Sequence, residues 1–153
     1  MKYCIDTSSL MDAWSRWYPP GTFPSVWERL DSVIQKGDLI SSQEVLREIE
    51  RKDDTLYQWV KERQNCFMAL TEEIQQQVRA ILSEFPKLVD SRTGKSFADP
   101  FVVATAIVTG TVVVTGEKPT GKPNRPKIPE ACERFRVGCI NITEMFISEN
   151  WKF

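Results

Sequence analysis

The 153-residue chain contains no histidine. That absence excludes Ser-His-Asp and Cys-His catalysis, a histidine general base and the usual zinc sites, all of which rest on an imidazole. Net charge is nearly missing too. Twenty Lys and Arg against 21 Asp and Glu leave −1, so no molecule-wide basic field draws in a polyanion, and nucleic-acid binding would need a local patch or bound cations. Cysteine is sparse: Cys4, Cys66, Cys132 and Cys139 include no C-x-x-C pair. Three of them lie in apolar stretches, where a thiol behaves as a small hydrophobe, and a Cys132–Cys139 disulfide is not expected. No signal-peptide core precedes Asp6, so the expected location is cytosolic. The uncharged stretch 100–116 falls short of the ~20 apolar residues of a membrane span. A buried helix, a turn at Gly110 and a buried strand account for it, and no membrane partner is expected.

What is present is ordinary globular composition, 41% hydrophobic and 27% charged, which fits a single domain over 1–153 with one sizeable core. Residues 2–5 read as a first strand ending at Asp6. Ser8 or Ser9 caps a helix to about Trp17, stopped by Tyr18-Pro19-Pro20-Gly21. Pro24 opens a second helix to Lys36, with Val26, Trp27, Leu30, Val33 and Ile34 on one face. Residues 38–41 form a second strand, and Ser42 caps the helix after it. Further helices are expected over 56–67 and 71–85. Asp99 and Pro100 start an almost wholly apolar, hence buried, helix to Ile107. Residues 111–115 read as a central strand rich in β-branched residues. A Pro-, Lys- and Gly-rich loop, expected to be mobile, spans 117–127. A short helix over 129–135, a strand over 139–142 and a helix from Thr143 complete the chain. Alternating strands and helices predict an α/β sandwich with a central parallel sheet.

Ligands of an open parallel sheet bind beyond the carboxyl ends of its strands, and carboxylates recur there. Asp6 ends the first strand, Glu117 follows the 111–115 strand, Glu44 and Glu48 lie on the helix after the second, and Asp99 opens the buried helix. Like charges gathered at one edge raise one another's pKa unless a cation intervenes. Oxygen ligands without histidine or thiolate suit Mg²⁺ or Mn²⁺, ions that polarise a phosphodiester. Each acid also has a plain structural use: Asp6 and Asp99 as helix caps, Glu117 as solvated loop. Between the two glutamates the helical angle decides. Glu48 lies roughly 105° from the centre of the Val45–Leu46–Ile49 face, at its margin, and Glu44 roughly 145° away. Glu48 is therefore the expected ligand, and Glu44, in the first turn, answers to the helix dipole.

These residues carry a resemblance. Y-C-I-D-T-S-S-L resembles the first-strand motif of PIN domains, I-S-S-Q-E-V-L-R-E-I their second, A-D-P-F-V-V-A-T-A their third and V-V-V-T-G-E their fourth. Glu117 stands where the family usually has Asp, and Ser8 where many relatives have Asn. K-I-P-E-A-C and the ending N-W-K-F are similar to a small stand-alone bacterial or archaeal subfamily. The resemblance implies a three-layer α/β/α sandwich and Mg²⁺- or Mn²⁺-dependent cleavage of RNA. Asp6, Glu48, Asp99 and Glu117 would be its catalytic and metal residues, with Ser8 and Thr115 as secondary polar contacts. It also implies, for many members, a toxin role with a cognate antitoxin protein. Two other classes stand beside it. One is a metal-free PIN-like module that only binds RNA or protein. The other is a phosphoryl-transfer fold, of receiver type, which wants paired acids after strand one, or haloacid-dehalogenase-like, which wants D-x-D where this chain has Asp6-Thr7-Ser8.

Lys118, Lys122, Arg125 and Lys127 cluster beside Glu117, either as phosphate contacts or as a solvated loop. Trp14, Trp17, Tyr18 and Phe23 have three readings: stacking on bases, core packing, or a homodimer or partner surface. Core or interface is the commoner use of so dense a cluster.

Overall fold

The computed structural model describes residues 1–90, 92–93 and 97–153. Five short strands, β1 (Tyr3–Ile5), β2 (Leu39–Ser42), β3 (Phe67–Met68), β4 (Val112–Val114) and β5 (Cys139–Ile140), form one sheet in the order β3-β2-β1-β4-β5. Every pairing is parallel, with Tyr3 opposite Leu39 on one side and Val112 on the other. The chain builds outward from β1 to β2 and β3, then crosses back to place β4 on the other side of β1. Strand order thus reverses between β1 and β4, and in such sheets the crevice at that point is where ligands bind.

Local signals place most of the helices. They are α1 (Thr7–Asp12), α2 (Pro24–Gln35), α3 (Gln43–Lys52), α4 (Asp54–Val60), α5 (Glu72–Glu84), α6 (Asp99–Thr109), α7 (Ile128–Arg134) and α8 (Ile142–Ser148). Ser42 accepts from the Glu44 amide at 3.2 Å and Thr71 from the Ile74 amide at 3.2 Å, each satisfying a donor that the first helical turn leaves open. Gly110, at φ 71°, ends α6 in the left-handed region that a side chain would strain.

Helices cover both faces of the sheet. Cys4 points toward α6 and approaches the Val102 carbonyl at 3.7 Å. Ile5 and Leu39 meet Ile34 of α2 and Val60 of α4 on the opposite face. Val102, Val103, Ala104 and Ala106 are all buried. Their apolarity reflects a helix enclosed between the sheet and α5, where each fully buried Val stabilises the fold by about 1.5–3 kcal/mol. No described helix is long and apolar enough to cross a membrane. Stretch 100–116 divides into α6, the Gly110 turn and β4.

Four local expectations are corrected. The helix expected over 56–67 stops at Val60. A tight 3-10 segment, Lys61–Cys66, follows, with Arg63 at φ −123°, ψ 37°. Arg63 is held there by Asp31 at 2.6 Å, by the Trp59 carbonyl at 2.7 Å and by lying 3.9 Å over the Trp59 ring. The chain then enters β3, a strand the sequence pattern does not predict, because Phe67 and Met68 find ladder partners in Ser41 and Ser42. Finally, α1 is capped by Asp6 rather than by Ser8 or Ser9, and ends in a π-helical turn, Ala13–Trp17. The last strand is shorter than expected, since Asn141 leaves it to cap α8.

Candidate active site

Asp6 leaves β1 at the point where strand order reverses. It is 1% exposed, and its carboxylate accepts three hydrogen bonds. Oδ1 accepts from the Ser9 amide at 2.8 Å, while Oδ2 accepts from Ser8 Oγ at 2.9 Å and Thr115 Oγ1 at 2.6 Å. The cap reading of Asp6 holds: the helix N-terminus anchors its carboxylate, and Thr115, just beyond the neighbouring strand, orients it. Burial pushes its carboxyl up to about 6, against the pull of the Thr115 and Ser9 hydrogen bonds. The Thr115 hydroxyl also accepts from the Glu117 amide at 3.1 Å, so it links Asp6 to the segment carrying the next acid.

Asp99 is held differently from Asp6. It opens α6 but makes no capping hydrogen bond, and it is 7% exposed. Burial first, then the charges of Glu117, Asp6 and Glu48, and a hydrogen bond shared with Glu117, push its carboxyl up to about 9. All three neighbours thus bear on Asp99 from chain-distant segments. Glu117 Oε2 accepts from the Ile128 amide at 3.0 Å, which fixes it between β4 and α7.

Glu48 is buried on α3. Its Oε1 accepts from the Ala98 amide at 3.0 Å and from Thr7 Oγ1 at 3.3 Å, and its Oε2 meets Lys52 Nζ at 2.9 Å. It therefore ties α3 to the residue immediately before Asp99. Glu44 was expected far from the core, yet it is 5% exposed. Its carboxylate turns to Arg47 at 2.7 Å rather than to Asp6, Asp99 or Glu117. Position on the helix distinguishes the two glutamates less than their partners do.

Asp99 and Glu117 open onto a cleft of about 640 Å³, with Asp6 and Glu48 buried behind them. Lys87, Arg92, Arg125 and Lys127 line the same cleft. The expected basic cluster is thus split. Arg125 and Lys127 face the acids. Lys118 lines a separate groove of about 370 Å³, and Lys122 lines neither. Lys87 and Arg92 went unnoticed in the sequence, where the only signal was their place shortly before Asp99. Thr120 pins the loop of Arg125 and Lys127, its hydroxyl donating to the Arg125 carbonyl at 2.8 Å and its amide to Glu130 Oε1 at 3.3 Å. Glu130 Oε1 also accepts from the Lys127 amide at 2.9 Å.

The aromatic cluster divides as well. Trp14 packs edge-on against Trp27 at 4.8 Å and donates to Thr55 at 2.9 Å. Tyr18 packs against Phe23 and Phe146. Trp17 is 43% exposed and faces the groove of Lys118.

The donor set is carboxylate oxygen alone, which fits a hard divalent cation. The charges of Glu117, Asp6 and Glu48 all raise the buried Asp99 carboxyl, repulsion that a positive charge placed there would relieve. Among the described residues, however, no three acidic or cysteine side chains converge closely enough to hold an ion as they stand.

A family model described as a domain of unknown function, DUF4411, matches residues 3–153. The chain belongs to this family. No curated protein matches the chain. Among solved structures, this DUF4411 domain is similar to a chain of VapBC2 from Rickettsia felis, crystallised bound to a DNA fragment from their promoter. The TM-score is 0.53 at 13% identity, covering 92% of this chain and 98% of that one. At that identity the likeness concerns the fold: this DUF4411 domain has a PIN-like α/β/α architecture around a parallel sheet.

Proposed function

We propose that the chain is a Mg²⁺- or Mn²⁺-dependent endoribonuclease of PIN type, held in check by a cognate antitoxin protein. One observation carries the reading. The buried Asp99 carboxyl feels the charges of Glu117, Asp6 and Glu48, which come from three chain-distant segments near the point where strand order reverses. Burying several carboxylates together is costly for a fold with no cation to offset them. Asp6, Glu48, Asp99 and Glu117 are the residues that would hold the ion, which when bound supplies Lewis acidity toward a phosphodiester oxygen. Ser8 and Thr115 orient Asp6. Arg125 and Lys127, with Lys87 and Arg92 opposite, hold the flanking phosphates.

Support for the partner comes from the VapBC2 likeness in fold and from the chemistry of the cleft, where an Arg or Lys of an inhibitor would pair with Asp99 and Glu117. A second reading, a non-catalytic RNA-binding module, draws on the lack of a preformed three-acid cluster among the described residues.

The deciding experiment is an RNA-cleavage assay with metal titration on purified wild type and Asp99→Asn. Cleavage that requires Mg²⁺ or Mn²⁺ and disappears in a folded Asp99→Asn protein supports the nuclease. RNA binding with no cleavage at any metal concentration supports the module. Growth inhibition on expression, relieved by the product of a neighbouring gene through direct binding, tests the partner separately.

A further inference from the structure

Where β4 ends, successive residues serve different spaces. Glu117 lines the acidic cleft, while Gly116 and Lys118 line the groove with Trp17, Tyr18, Asn141, Ile142 and Thr143. The groove begins one residue from the carboxylate cluster.

Trp17 differs from the other tryptophans. Trp14, Trp27 and Trp59 pack on one another, and Trp151 packs on Phe146 and Phe153. Trp17 has no aromatic partner among the described residues. Its ring edge lies beside Gly116, where an added Cβ would come within 3.3 Å of Cη2. The Asn141 side-chain oxygen is spent on the Glu144 amide at 2.9 Å. Its NH₂, the Thr143 hydroxyl and the Tyr18 hydroxyl have no hydrogen-bond partner among the described residues. The exposed ammonium of Lys118 stands at the same groove. The space therefore combines a free indole face, free hydrogen-bond groups and one cation. A nucleobase with its phosphate asks for that combination. An apolar peptide anchor would leave the cation and the free donors unmatched.

We propose that this groove is a nucleobase subsite flanking the scissile phosphate. The indole of Trp17 stacks on an unpaired base, Asn141 and Thr143 bond to the base edge, and Lys118 meets the adjoining phosphate. That the flanked phosphate is the one cut rests on the nuclease reading, but base binding can be measured without cleavage.

The test uses the full chain with a chelator present, so that no cleavage occurs. Affinity is measured for a short single-stranded oligoribonucleotide and for a ribose-phosphate oligomer of equal length lacking bases. Trp17→Ala is expected to weaken binding of the oligoribonucleotide about tenfold or more and to leave the baseless oligomer within about twofold. Trp17→Phe, which keeps a π face, should recover most of the loss, and Lys118→Ala should weaken both ligands alike. Melting temperatures near wild type for each variant exclude unfolding. The proposal is overturned if Trp17→Ala binds the oligoribonucleotide like wild type, or if it loses both ligands equally. Loss of the nuclease reading shows differently: wild type would still bind bases through Trp17 while cutting no RNA when metal is supplied.

Discussion

The hydroxyl of Thr115 donates to Asp6 across the β1–β4 pair at 2.6 Å, joining residues 109 positions apart in the chain. The same oxygen accepts from the Glu117 amide. One buried hydroxyl therefore orients one acid directly and holds the segment of another.

Thr115→Val keeps the volume and removes both bonds. It should lower RNA cleavage about tenfold or more and destabilise the protein by about 1–3 kcal/mol, because the Glu117 amide loses its partner. Thr115→Ser should restore most of both. Activity assays beside denaturant melts check this, and a fully active Thr115→Val protein would remove Thr115 from the site.

The buried acids make the metal-free protein sensitive to alkali. Asp6 is pushed up to about 6 and Asp99 to about 9, both above the unfolded value of about 3.9. The folded state therefore holds protons that the unfolded state has released. Their contribution is fully present below about pH 4 and is lost as pH rises through about 6 and then about 9. Melting temperatures in chelator should fall over that window, and Asp99→Asn should fall less. Added Mg²⁺ should raise the wild-type melting temperature more at about pH 8 than at about pH 5, since protons and metal compete for the same oxygens. Equal pH profiles for wild type and Asp99→Asn would contradict this.

Glu48 and Glu44 should separate in assay although both are buried. Glu48→Gln should reduce cleavage strongly while keeping the fold, because its amide oxygen can still accept from Ala98 N. Glu48→Ala should add a stability loss of about 1–3 kcal/mol by orphaning that amide. Glu44→Gln affects a carboxylate that faces Arg47 and should leave cleavage within a few-fold of wild type. The reverse order of activities would show that Glu44 is the functional residue.

Phosphate holding should follow the cleft rather than the sequence cluster. Arg125→Ala with Lys127→Ala should flatten the salt dependence of single-stranded RNA binding, the slope falling by roughly 0.7 for each phosphate left without its cation. Lys122→Ala should leave the slope unchanged, and Lys87→Ala or Arg92→Ala should lower it. A larger effect from Lys122 than from Arg125 would return the cleft rim to ordinary solvated surface.

Much of the fold was legible because it is locally encoded. Ser42 caps the helix it was expected to cap, the helix expected from 71 starts at Glu72, and Gly110 supplies the positive φ that ends α6. Apolar, β-branched runs marked β1, β2 and β4, and acids at strand ends follow from where parallel sheets expose their edges. Other features depend on groups far away in sequence. β3 is two residues long and exists only because β2 offers its edge. Helical angle ranked Glu48 above Glu44, but it missed that Glu44 is also buried, since angle on an isolated helix ignores neighbouring elements. Lys87 and Arg92 became cleft residues only when the chain before α6 was laid opposite the 124–127 loop. Trp14 and Trp17 lie three residues apart in one aromatic cluster, and packing laid one against Trp27 at the edge of the core and left the other open to the groove. Periodicity, caps and turn residues act over a few positions, so the sequence alone determined most of the elements and their order. Which side chains share a space is set by long-range packing, and only the tertiary structure decided that.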